Sequence, residues 1–200
     1  MFKKKLILTG REPLVRYLRN IFCSTTVILT LIIALSACGI VSNRVVGTTL
    51  VSKEYGFRLD LPDNDFEAKH TKDIPLILFN PKTGSTITVT VSEDRYHLEN
   101  YSKKKKEIGL RHIARGLFFY VKEKKYLKSH AATLGGLDAW YLELSGEVSD
   151  VPLIFSVYVV RHDKKIYDLT LFAPPGDFEK SYETFNEIML SFEFTGGSDK

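Results

Sequence analysis

Side-chain chemistry in this 200-residue chain could reside in two cysteines, five histidines, one acidic cluster and one run of lysines. The histidines, His70, His97, His112, His130 and His162, are scattered, and none lies two to four residues from another, as local metal-ligand pairs commonly do. Asp60, Asp63, Asp65 and Glu67 form the densest carboxylate group. A calcium loop opening at Asp63 would need glycine at its sixth position and glutamate at its twelfth. Ala68 and Ile74 stand there instead, so the cluster reads as a solvated turn. The chain has no Gly-x-Ser-x-Gly elbow, no phosphate-binding Gly-x-x-x-x-Gly-Lys loop, no His-Glu-x-x-His and no Cys-x-x-Cys. The expectation is a protein without catalytic residues, metal or cofactor, and not an enzyme. Trp140 and Tyr141 could offer a ligand platform, but Trp140 alternates with Leu142 and Leu144, which suits a half-buried strand.

The cysteines point elsewhere. Lys3, Lys4, Lys5, Arg11, Arg16 and Arg19 precede an apolar run from Val27 to Leu35, broken only by Thr30. Ser36 and Ala37 follow, then Cys38. Basic, apolar and small-residue regions in that order make a secretory signal. The ending Leu35-Ser36-Ala37-Cys38 resembles the lipobox of bacterial lipoprotein precursors. That resemblance implies cleavage between Ala37 and Cys38, a diacylglyceryl group on the Cys38 sulfur and acylation of the new amine. Ile21 to Ala37 is 17 residues, interrupted by Ser24-Thr25-Thr26, and a membrane span needs roughly 20 mostly apolar residues. Residues 1–37 are therefore expected to be a leader, 38–48 the lipidated start and tether, 49–196 one domain, and 197–200 a tail. Cys23 would leave with the leader and Cys38 carry lipid, so no thiol would remain. Gly39 is not the aspartate that commonly retains lipoproteins at the inner membrane, so an outer membrane is the favoured destination where two membranes exist.

The formal charge of +4 belongs largely to the leader, which holds six Lys+Arg and one acid. The remainder is close to neutral, which removes the basic footprint expected of a nucleic-acid-binding domain. Its charge is nonetheless polarised. Residues 98–128 contain ten Lys+Arg against three acids, whereas 129–200 contain five against twelve. Lys103, Lys104, Lys105, Lys106, Arg111 and Arg115 are the candidate electrostatic face, toward anionic lipid or an acidic partner. The competing reading is a charged helix face that keeps the domain soluble.

Elements must position that face. Phe57 to Leu61 alternates and ends at the turn cluster 62–65; Ile74 to Phe79 is apolar and ends at Asn80-Pro81-Lys82-Thr83-Gly84. Thr86 to Ser92 alternates Thr with Ile or Val, one face wet and one buried. Leu110, Ile113, Leu117 and Val121 predict a helix over 98–121. Strands follow at 126–133, 137–144, 153–160 and 166–173, with turns at Gly135-Gly136 and His162–Lys165. Asp177 opens a last helix whose Phe178, Tyr182, Phe185, Met189 and Phe192 share one side.

Three stretches carry a family resemblance. Tyr55-Gly-Phe-Arg-Leu-Asp-Leu-Pro62 looks like the opening strand of PsbP-like proteins, a group that includes DcrB-like bacterial lipoproteins. Leu134-Gly-Gly-Leu-Asp-Ala-Trp140 is similar to their central hairpin. Ile166-Tyr-Asp-Leu-Thr-Leu-Phe-Ala-Pro-Pro175, with Phe178 and Ser191-Phe192, resembles their closing strand and helix. The resemblance implies an α+β fold, an α/β/α sandwich whose mainly antiparallel sheet is covered by two helices. It also implies a protein-binding or complex-stabilising role, since the group includes photosystem II extrinsic subunits and a yeast protein that binds the Ran GTPase. The expected partners are the membrane, through the lipid anchor, and an envelope protein; nucleic acid is not expected. The alternative is a small-molecule or enzymatic domain with a pocket between sheet and helix.

Overall fold

The computed structural model describes residues 43–46, 48–62, 65–69 and 74–195. Cys38, the lipobox and the leader lie outside the described residues, as does the tail. Asn43–Val46 (β1) pairs antiparallel with Thr49–Ser52 (β2), so part of the segment read as a tether is a strand of the domain. Nothing in its own composition marked it, because its order comes from the partner strand.

β1 and β2 continue through Phe57–Asp60 (β3) to Glu193–Phe194 (β11) in a four-stranded sheet. The larger sheet has seven antiparallel strands. They are Glu67–Lys69 (β4), Leu76–Phe79 (β5), Thr86–Glu93 (β6), Lys122–Leu134 (β7), Leu137–Val148 (β8), Val151–His162 (β9) and Lys165–Ala173 (β10). Their spatial order is β4-β5-β6-β10-β9-β8-β7. Helix α1, Lys103–Gly116, lies on one face, and helix α2, Phe178–Ser191, on the other together with the small sheet. The fold is the expected α+β sandwich with a second sheet added to one layer.

Three two-residue turns link β7 to β10. Their central residues are Gly135-Gly136, Ser149-Asp150 and Asp163-Lys164, all with positive φ. Positive φ at both central positions is the hairpin turn whose twist matches its strands. Ser149-Asp150 lacks glycine, so the sequence did not mark this turn, and β8 and β9 both run on to it past the ends expected at 144 and 153.

Side-chain alternation builds two cores. Leu50, Phe57, Val89, Leu169 and Phe185 meet under α2, and Leu110, Ala114, Phe118, Leu142 and Phe155 meet under α1. The α2 stripe is as expected, with Phe178, Phe185, Met189 and Phe192 buried and Tyr182 half-buried. Asp177 stands at its N-cap without a side-chain capping bond.

The predicted 98–121 helix is shorter. Leu98–Asn100 is a single 3-10 turn, and the chain turns again after Gly116. Gly109 lets the Leu98 side chain pack against the helix, since a Cβ there would stand 2.6 Å from Leu98 Cδ2.

Candidate interaction surface

Asp94 fixes the entry to α1. Its Oδ1 accepts the Tyr96 N–H at 3.1 Å and its Oδ2 the Leu98 N–H at 2.8 Å. Arg161 Nε on β9 donates to the same Oδ2 at 3.0 Å. Asp94 is buried and Arg161 half-buried, so the loop is anchored to the sheet a few residues before α1 and its lysine run.

Lys103–Lys106 thus form the first turn of α1, with no acid in that turn and no side-chain bond from the Ser102 N-cap. A helix N-terminus carries about half a positive charge, so cations there oppose helix stability. Lys103, Lys104 and Lys105 are exposed, and Lys106 is half-buried. Arg111 leaves the open face: its guanidinium lies 5.9 Å from the Trp140 ring centroid, and its Nε is buried without a hydrogen bond. Arg115 is exposed and lies 5.0 Å from the Tyr126 ring centroid on β7.

That contact joins α1 to a feature sequence reasoning missed. β7 is the outer strand of the sheet, and Lys122, Lys124, Lys125 and Lys128 are all exposed. Lys124 Nζ donates to the Phe118 carbonyl at 3.0 Å, tying β7 to the turn after α1. Exposed aromatic and aliphatic side chains border these charges: Phe119 at 82%, Tyr120, Tyr126 and Leu127. The positive surface is therefore α1 and β7 together. The lysine count of the segment was visible in sequence; its placement on an open strand edge was not.

Two clefts flank the N-terminal turn of α1. One, of about 180 Å³, lies between helix and sheet among Leu98, Lys106, Leu110, Leu137, Arg161 and His162. The other, of about 240 Å³, runs beside Ala131, Ala132 and Thr133 of β7. Lys103 and Asp138 line both, and their ion pair of 3.3 Å stands between them.

This architecture has solved counterparts. The solution structure of cyanobacterial PsbP from Synechocystis sp. PCC 6803 matches with a TM-score of 0.53 at 14% identity, over 78% of this chain and 95% of that one. LpqN, a protein involved in cell envelope biogenesis of Mycobacterium tuberculosis, matches with a TM-score of 0.52 at 17% identity, over 70% and 83%. The chain has the PsbP-like fold. A Bacteroides thetaiotaomicron structure matches with a TM-score of 0.52 at 11% identity, over 77% of this chain and 50% of that one. No protein-family model and no curated protein matches the sequence.

The other polar groups of the PsbP-like domain are engaged in packing. Trp140 is no open platform: Arg111 covers its ring, and its Nε1–H donates to Ser129 Oγ at 3.1 Å. Tyr141 is buried between His130 and Tyr158. Its hydroxyl donates to Glu143 Oε2 at 2.7 Å, and Lys128 Nζ donates to the same oxygen at 3.1 Å. Burial pushes the Tyr141 hydroxyl far up and that of Tyr158 up to about 12. These shifts hold both phenols neutral, opposite to the direction that activates a nucleophile.

On the α1 side of the sheet, Asp168 accepts hydrogen bonds from the Thr90 and Thr170 hydroxyls. Burial raises its carboxyl to about 6, although both hydroxyls act the other way. Asp65 is paired with Lys82 at 2.7 Å, a bond that holds its carboxyl below the usual range. Among the described residues no three His, Cys, Asp or Glu converge on one point, and no helix is long and apolar enough to cross a membrane.

Proposed function

We propose that this protein is an exported, lipid-anchored envelope protein whose PsbP-like domain is a non-catalytic module that binds an acidic protein partner near its membrane. The observation that carries the reading is the lysine run itself. Four cations occupy the one helical turn whose dipole disfavours them, beside four more on the outer strand. A run kept only for solubility would be better placed anywhere else on the helix. The Leu35-Ser36-Ala37-Cys38 ending supports the anchor, and Gly39 favours the outer membrane where there are two. That LpqN is involved in cell envelope biogenesis is in keeping with such a location.

The small-molecule alternative has one observation in its favour, the cleft between α1 and the sheet. Its 180 Å³ is below the roughly 300–1,000 Å³ of ordinary ligand pockets, and protein binding is the better reading.

The test uses full-length protein cross-linked in intact cells and purified from detergent-solubilised membranes. Wild type is compared with a variant carrying Lys103→Gln, Lys104→Gln, Lys105→Gln and Lys106→Gln, and with Lys53→Gln as a control. The same partner should be recovered by wild type and control and lost from the quadruple variant. Equal recovery by all three would remove the basic surface from the function.

A further inference from the structure

The reading above leaves open how a partner would engage, and β7 supplies a specific mode. Among the described residues β7 pairs with β8 alone and ends the sheet. It is 13 residues long, against about 5–6 for an ordinary strand, with register shifts between Lys122 and Lys125 and between Tyr126 and Lys128, so that its regular edge runs from Lys128 to Leu134. A long open edge presents unpaired N–H and C=O groups, which is a template for another strand. The opposite edge, β4, has three residues among those described.

The turn fixes which groups are open. Leu134 and Leu137 flank the two-residue Gly135-Gly136 turn and are register partners. Residues flanking such a turn exchange both backbone hydrogen bonds, and pairing then alternates along an antiparallel ladder. Leu134, Ala132 and His130 therefore bond to β8. Thr133, Ala131 and Ser129 direct their N–H and C=O groups outward. His130 Nδ1 lies 3.0 Å from the Ala131 carbonyl oxygen, a local contact in place of a neighbouring strand.

Access and charge agree with this geometry. Ser129, Ala131 and Thr133 are small and exposed, and the 240 Å³ cleft runs directly beside Ala131–Thr133. Lys103 borders that cleft from α1 beside Glu107 and its ion-pair partner Asp138, and the net positive charge lies further along the strand at Lys122, Lys124 and Lys125, with Lys128 bound to Glu143. Opposite charges across paired strands stabilise and like charges destabilise. A second copy centred on the basic half of β7 would set lysines near lysines, an acidic strand would be favoured there, and a copy centred on Ser129–Thr133 is distinguished by sedimentation.

We propose that the Ser129–Thr133 edge of β7 takes up an extended acidic segment of the partner as an eighth strand of the sheet. The inference rests on the proposed binding role and names its mode. Backbone hydrogen bonds would hold the segment, and the lysines of β7 and α1 would select its charge. The bland alternative is that these lysines only guard the edge against aggregation.

The test uses the full-length protein in detergent and three labelled peptides. One alternates glutamate with valine. The second carries the same sequence with alternate amides N-methylated, which keeps the charge and removes the donors. The third alternates lysine with valine. The acidic peptide should bind about tenfold or more tightly than either of the others. It should also slow amide hydrogen exchange at Ser129, Ala131 and Thr133, measured by NMR. Ala131→Pro, which deletes one outward N–H, should weaken it by a similar factor; the N-methylated peptide gives the same information without altering the protein. If the N-methylated peptide binds as well as the parent, strand addition is overturned while a charge-only basic surface stands. If no peptide binds, the edge is a guarded one, and the quadruple lysine variant decides the broader role separately. If the free protein already protects these amides and sediments as a dimer, a second copy holds the edge and the proposal is wrong.

Discussion

Replacing Lys104 and Lys105 by glutamate should stabilise the domain while weakening its binding. Both residues lie in the first turn of α1, which contains no acid. A charge there interacts with the helix dipole by roughly 0.3–1 kcal/mol, unfavourably for lysine and favourably for glutamate. Reversing two charges therefore changes stability by about 1–4 kcal/mol at low salt. Lys103 is left in place because it pairs with Asp138, and Lys106 because it lines the cleft. For a domain of this size the gain corresponds to roughly 2–4 °C in Tm per kcal/mol. The assay is thermal unfolding of wild type and the Lys104→Glu, Lys105→Glu variant at low and high ionic strength. The gain should shrink as salt rises, because both side chains are exposed and screening shortens their reach. An unchanged or lower Tm at low salt, with helix content intact, would refute the claim that the lysines are held against local stability. A higher Tm accompanied by loss of the cross-linked partner would locate their use in binding.

Other perturbations probe the anchor, the packing and the buried carboxylate. Cys38→Ser should abolish acylation and move the protein out of the membrane fraction, as mass spectrometry and fractionation would register. Phe185→Ala removes a fully buried ring from the α2 stripe and should cost about 3–5 kcal/mol in urea unfolding. Gly146→Ala would place a Cβ 2.6 Å from the Lys122 carbonyl oxygen, lowering Tm by the equivalent of about 1–3 kcal/mol as β7 is pushed from β8. Asp168 titrates near 6 when folded and near 3.9 when unfolded, so the folded state binds the extra proton between those values. Stability should fall by about 2 kcal/mol as pH rises from 4 to 6, and Asp168→Asn should remove that slope; identical slopes in the two proteins would contradict it.

Local pattern was enough for much of the frame. Alternation of Thr with Ile and Val placed β6, with Ile87 and Val89 buried. The spacing of Phe178, Phe185 and Met189 placed the buried stripe of α2. Gly135-Gly136 marked the first of the two-residue hairpins, because glycines advertise positive φ, whereas Ser149-Asp150 makes the same turn unannounced. The proposed leader and lipobox rest on local pattern alone and lie outside the described residues.

Tertiary pairing decided the rest. Asn43–Val46 is a strand because Thr49–Ser52 lies beside it, Thr49–Ser52 pairs on its other side with β3, and β3 in turn pairs with β11 from the far end of the chain. The loop that leads to α1 is held by Arg161, which bonds Asp94 from 67 residues away in the chain. Arg111, on α1, is withdrawn from the basic face by Trp140 on β8. The sequence determined how many lysines this protein carries between residues 98 and 128. Which of them stand on an open strand edge depended on β7 closing the sheet order, and strand order is set by long-range hydrogen bonding and core packing, which no local spacing encodes.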